Sequence, residues 1–263
     1  MDAARWVQVG DGVWVRRYRE LDLSLGVVIG ERWCLVVDTG ADEVQGAEFA
    51  AAVRELTPLP WTVVITHAHF DHAFGTAAFE GAAVWGHARC RIALRETAEA
   101  QRAEWAGRYR SEGRPELAER LERARVIMPD AWPGGNLDLG GRLVRLVAPG
   151  PGHTDHDLVV QVPDAGVVFA GDLVEQGAPP AFGDAYPAAW PLALDAVLGL
   201  EPVTVVPGHG EPVDADFVRT QREEIALVAR LCVDVRAGLI PVEAAVERSP
   251  YPEEFTREAL ARV

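Results

Sequence analysis

Trp61-Thr62-Val63-Val64-Ile65-Thr66-His67-Ala68-His69-Phe70-Asp71-His72 changes character at its midpoint. The first half is apolar and β-branched, the composition of a buried strand. The second half places three of the chain's seven histidines, with one carboxylate, inside six residues. Four potential metal donors therefore stand where a strand ends and the chain turns. Backbone at such an edge can aim several side chains at one point while the strand holds the edge in place. In an extended turn, positions i and i+2 face the same way. His67 and His69 can then share one ion, while Asp71 and His72 reach a second.

Upstream of this stretch, Val13–Tyr18, Leu23–Gly30 and Trp33–Asp38 read as consecutive strands, the last ending at Asp38-Thr39-Gly40. Residues 42–56 have helical spacing and stop before Thr57-Pro58. Downstream, Ala82–Trp85 is a short strand. Residues 88–124 are rich in Arg, Glu, Ala and Leu and break at Gly113-Arg114-Pro115, which predicts two amphipathic helices over about 88–110 and 115–124. They form a helical insertion whose charges mostly belong to a solvated face, and which can serve as a substrate wall, a lid or the face of a homodimer. Strands return from Asn136 onward, at Leu143–Val147, Asp157–Val162, Gly166–Ala170 and Val203–Val206. Helices are expected over 188–198, 215–236, 241–248 and 253–262. Two β-rich halves, each with its own helices, predict two sheets packed face to face between helical layers.

The 263 residues suit one large domain spanning 1–263. A composition 49% hydrophobic and 25% charged is that of a globular chain. No apolar run approaches the roughly 18–20 residues of a membrane span, and Met1–Trp6 has neither a basic nor an apolar leader region. The expectation is a cytoplasmic protein with no membrane partner. The net charge is −15, with no basic stripe, which makes nucleic acid a poor partner. All 25 basic residues are arginine, so lysine Schiff-base chemistry and a P-loop lysine are excluded. Cys34, Cys90 and Cys232 are odd in number and far apart, which argues against a disulfide framework or a cysteine zinc cluster. They read as packing residues.

Three more donors end apolar strands or lie in glycine-rich turns: His153 in Gly150-Pro151-Gly152-His153-Thr154, Asp172 in Phe169-Ala170-Gly171-Asp172, and His209 in Pro207-Gly208-His209-Gly210. Glycine beside a donor lets backbone approach a crowded centre. Ions such as zinc accept imidazole nitrogen and carboxylate oxygen, and a carboxylate such as Asp172 can bridge two cations where an imidazole cannot. Asp38 has two readings, as a helix N-cap or as a support beneath the metal donors.

Val37-Asp38-Thr39-Gly40, Thr66 to His72, Gly152-His153-Thr154, Gly171-Asp172 and Gly208-His209-Gly210 occur in the order of the metallo-beta-lactamase superfamily, which this chain resembles over nearly its whole length. The resemblance implies an α/β fold, a four-layer αββα sandwich of two mixed sheets with outer helices. It also implies that His67, His69 and His153 hold one divalent metal, that Asp71, His72 and His209 hold a second, and that Asp172 bridges them. Asp38 would orient a ligand from beneath. Zinc is the expected ion, with iron or manganese as alternatives. Relatives carry Gly-His directly after the Thr of the third motif. Here the run is Asp155-His156-Asp157, so His156 is a shifted candidate for substrate contact. The Pro-rich segment Glu175–Trp190 offers Phe182 and Tyr186 as further substrate contacts, with a second reading of Phe182 and Trp190 as core anchors for the loop.

Two cations sharing a water lower its pKa from 15.7 toward about 7. The expected activity is hydrolysis of an ester, lactone or thioester in a small molecule by a metal-bridging hydroxide, with Asp71 orienting the nucleophile and relaying its proton. The alternatives are a mononuclear iron oxidoreductase of the persulfide dioxygenase type, and phosphodiesterase or lactamase chemistry on the same site. The fold does not choose among substrates.

Overall fold

The computed structural model describes residues 4–262. The chain forms two mixed sheets, one of seven strands and one of five, and divides into two compact units. The first comprises residues 4–146 together with 162–165, and the second comprises 147–161 and 166–262.

The first unit holds strands β1 (Arg5–Gly10), β2 (Val13–Arg17), β3 (Ser24–Ile29) and β4 (Cys34–Val37), then helix α1 (Glu43–Leu56) and strand β5 (Trp61–Val64). A single helical turn, α2 (Phe70–Ala73), follows. Then come β6 (Ala83–Gly86), the long helix α3 (Ala88–Ser111), α4 (Pro115–Arg123), and the strands β7 (Asp130–Ala131), β8 (Asn136–Asp138) and β9 (Leu143–Val147). The seven-stranded sheet runs in the order β1 to β7. Its first half is antiparallel and its second half parallel. Val27, Val36 and Val63 on its strands pack with Phe49 and Val53 of α1 and with Leu94 of α3. Phe49 and Val53 lie four residues apart, one above the other on a helix face. Asp42 starts that helix by accepting hydrogen bonds from the backbone N–H groups of Val44 and Gln45 (2.8 and 3.0 Å).

Parallel pairing of β4 with β5 aligns Val37 with Val64, so the segments that follow both strands leave the same sheet edge. The Asp38 N–H donates to the Val64 carbonyl (2.9 Å). Helix α1 docks there by backbone contact. A Cβ on Gly46 would lie 2.3 Å from the Gly75 carbonyl oxygen, and one on Gly75 would lie 2.1 Å from that of Thr39.

In the second unit, β10 (Val159–Val162) and β11 (Val167–Glu175) precede α5 (Trp190–Leu198), β12 (Thr204–His209), α6 (Ala215–Arg236), α7 (Val242–Arg248) and α8 (Glu253–Ala261). β11 and β12 pair in parallel, with register shifts between Phe169 and Gly171 and between Gly171 and Glu175. Val168, Ala170 and Val205 share a core with Leu194 of α5, Ile225 of α6 and Ala259 of α8.

Most elements lie where the sequence places them, including both helices of the insertion. Residues 70–73 are an exception. They form a helical turn where the spacing suggests extended chain, because Phe70 is drawn into the core beside Phe74. β11 also runs five residues past the expected end at Ala170. Asp172 therefore lies inside a strand, at a register irregularity, and not at the strand's end. β1 is an edge strand of mixed polarity, held by pairing with β2, and so carries little apolar signature. Among the described residues, no helix is long and apolar enough to cross a membrane.

The backbone contact at Gly75 has a measurable cost if filled. Gly75→Ala should lower unfolding free energy by about 1–3 kcal/mol through overpacking, read from the urea midpoint. Gly107→Ala, on α3 with open space around it, should raise stability by up to about 1 kcal/mol through helix propensity.

Candidate metal centre

In the first unit, Asp38 is 2% exposed and has a left-handed φ of 60°, a region aspartate visits more readily than most residues. This backbone aims the carboxylate back across the sheet edge. It accepts from the Thr66 N–H (2.7 Å), the Thr66 hydroxyl (2.8 Å) and His72 Nδ1 (2.8 Å). A carboxylate only accepts, so His72 carries its hydrogen on Nδ1 and presents a lone pair at Nε2. The Thr66 hydroxyl gives its one hydrogen to Asp38, so at 3.0 Å it accepts from His67 Nδ1. That leaves a lone pair on His67 Nε2. Asp38 thus sets the tautomers of two histidines, one directly and one through Thr66. The helix N-cap role that Asp38 was also a candidate for belongs to Asp42.

His67 Nε2 lies 3.1 Å from His69 Nδ1. Two nitrogens bound about 2.0–2.1 Å from one tetrahedral ion stand roughly 3.3–3.4 Å apart, so this pair has the spacing of co-ligands. Asp71 Oδ2 lies 3.8 Å from His72 Nε2. His67, Asp71 and His72 are buried, and His69 is partly so.

In the second unit, Asp172 Oδ2 lies 3.5 Å from His153 Nε2 and 3.3 Å from His209 Nε2. One carboxylate oxygen is thus within ligand-to-ligand distance of two imidazoles. The crowding is extreme. A Cβ on Gly208 would strike Asp172 Oδ1 at 1.8 Å, which explains the glycine before His209. Thr154 is fastened by Asp157, whose carboxylate accepts from its N–H and its hydroxyl. Nitrogen and oxygen donors of this kind, held at these spacings, fit divalent cations.

The metallo-beta-lactamase superfamily model matches residues 23–209. This chain belongs to that superfamily. It is similar to a hydroxyacylglutathione hydrolase from Acidiphilium cryptum, with 31% identity over 87% of this chain and 90% of the relative. A type 2 metallo-beta-lactamase from Bacillus cereus is 28% identical over 79% of this chain and 77% of its own. Among solved structures, the metallo-beta-lactamase FIM-1 from Pseudomonas aeruginosa, in its mono-zinc form, has a TM-score of 0.65 at 21% identity. It covers 86% of this chain and 96% of its own, and this likeness bears on the fold. As a superfamily member with these relatives, the protein is a metal-dependent hydrolase.

In this superfamily member, α3 reaches the histidine turn through Gln101, which the sequence reading did not single out. Its side-chain oxygen accepts from the Phe70 N–H and its nitrogen donates to the Ala68 carbonyl, both at 2.9 Å. A glutamine in a charged helix gives no local signal of this clamp. Phe182 does not face a substrate site. It is fully buried between Trp190 and Tyr251, a core anchor and not a substrate contact. Tyr186 is 39% exposed, with a long 3.5 Å contact from its hydroxyl to Asp155. His156 is buried, and its Nδ1 donates to Asp155 (2.8 Å). His87 caps α3. All three cysteines are buried and outside any disulfide, and burial pushes the Cys34 and Cys232 thiols up to about 11.

Removing the tautomer control should weaken metal binding without unfolding the chain. Asp38→Ala is expected to lower metal affinity about 10–100-fold, measured by competition with a chromophoric chelator. An unchanged affinity would mean that Asp38 serves the fold alone.

Proposed function

We propose that this protein is a dinuclear zinc hydrolase that cleaves an ester, lactone or thioester in a small molecule, acting in the cytoplasm. In this reading His67, His69, His153 and Asp172 form one donor group, and Asp71, His72 and His209 the other. The observation that carries the reading is Asp172 Oδ2, shared at 3.5 and 3.3 Å by the two histidines assigned to different ions. The relative named for hydroxyacylglutathione supports an acyl substrate.

When bound, paired divalent cations supply a hydroxide nucleophile at neutral pH by lowering the pKa of water toward about 7. The chain's own residues do the rest. Asp38 and Thr66 keep His67 and His72 in the tautomers that present Nε2 lone pairs. Gln101 holds the backbone on either side of His69, so the donor spacing does not relax when substrate enters. Asp71 orients the nucleophile, accepts its hydrogen and returns it to the leaving alkoxide or thiolate. His156, braced by Asp155, and the exposed ring of Tyr186 flank the acyl group.

Asp172→Ala should release at least one ion per chain and lower kcat by at least about 10³-fold, the scale on which a preorganised electrostatic group acts. Elemental analysis of the purified protein and a screen of aryl esters, acyl lactones, thioesters, lactams and bis-phenyl phosphate test this. One iron per chain would favour the oxidoreductase alternative. Full metal content with wild-type turnover in the Asp172 variant would end the bridging assignment.

A further inference from the structure

The helical insertion carries a cavity of about 510 Å³, within the range of small-ligand sites. Its wall brings together three guanidinium groups, from Arg19, Arg108 and Arg114, against two carboxylates, Glu20 and Glu112. In a chain with a net charge of −15, this is a local surplus of positive charge. A neighbouring cavity of about 390 Å³ shares Glu20 and Tyr109 but has the opposite balance. There Arg16 and Arg120 face Glu20, Asp42 and Glu48.

Two of the three cations of the larger cavity are held by rings. Arg108 lies over Trp105 at 4.7 Å, and Arg114 over Tyr109 at 5.3 Å. A guanidinium stacked on a ring loses little freedom when it binds, and its planar fork matches a carboxylate. Arg114 is engaged by Glu20. Arg108 differs: it gives only Nε to Glu112, at 3.0 Å, and its two terminal nitrogens have no hydrogen-bonded acceptor among the described residues.

One wall of the cavity, Trp105, reaches the histidine turn. The face of Trp105 packs on Phe70, with ring centres 4.6 Å apart, and Phe70 precedes Asp71 in the chain. Arg108, Trp105 and Phe70 therefore form a stack that ends beside a metal donor. Burial and, in smaller part, the charges of Glu20 and Asp71 push the Tyr109 phenol upward, which agrees with that proximity.

We infer that this cavity holds a carboxylate carried by the substrate away from its scissile carbonyl, with the Arg108 fork as the anion contact and Leu21 and Trp105 against the apolar body. The inference rests on the hydrolase reading and names its substrate class: acyl compounds with a remote carboxylate.

The test is calorimetric binding of 2-naphthoate, with 2-naphthamide as the uncharged match, to the metal-loaded full-length protein. Naphthoate should bind at least tenfold more tightly than the amide. Arg108→Gln should remove at least tenfold of that affinity, and Glu112→Gln should strengthen it. Arg108 is well exposed, so folding of the Gln variant can be verified by its circular dichroism and melting curve. Equal binding of acid and amide, or a naphthoate Kd that Arg108→Gln leaves within twofold, would overturn the assignment. An acid preference that survives Arg108→Gln would overturn it too and place the carboxylate at the metal ions. Hydrolysis of phenyl acetate by the wild type is measured in parallel. Arg108-dependent binding without any turnover counts against the hydrolase reading alone, and turnover without Arg108-dependent binding counts against the cavity alone.

Discussion

One buried carboxylate organises the first half of the metal centre. Asp38 leaves the end of β4 in a left-handed conformation and accepts three hydrogen bonds from the edge of the neighbouring strand and the histidine turn. Each bond does a different job. The Thr66 N–H ties the two strand ends together. The Thr66 hydroxyl transmits a preference to His67, and His72 Nδ1 is fixed directly. A carboxylate without such partners would be costly to bury. With them, its charge decides which nitrogen of each imidazole is open to a cation. That arrangement exists only because β4 and β5 are parallel neighbours with Val37 beside Val64.

The second unit reaches its half of the donor set differently. At Asp172 a strand irregularity and a neighbouring glycine stand beside the carboxylate. Asp172 lies within the register shifts around Gly171, and Gly208 leaves free the space its oxygen occupies. Steric exclusion of a single methyl group is as firm a constraint here as electrostatics is in the first unit. Between them these devices hold donors at ligand spacing and leave the choice of substrate to the surrounding walls.

Much of this was legible in the chain, for a physical reason. A strand end followed by clustered donors is a local pattern, and local patterns survive translation into structure. So do helices with regular apolar spacing, such as 215–236, whose predicted and observed limits coincide. The misreadings share a cause as well. The turn 70–73 became helical because Phe70 has a core to enter. β11 continued past Ala170 because β12 was there to pair with it. Of the two readings open for Phe182, the core anchor is the one its burial supports, and its partner Tyr251 comes from far along the chain.

The sequence by itself determined which atoms can bind a cation, and that they occur at strand ends, because donor chemistry and strand periodicity are properties of residues and their immediate neighbours. Only the tertiary structure decided which tautomers those histidines adopt, that Gln101 clamps their backbone, and that Arg19, Glu20 and Leu21 close a cavity against Arg108. Each of those depends on a partner many positions away, brought close by packing, and no short window of sequence carries that information.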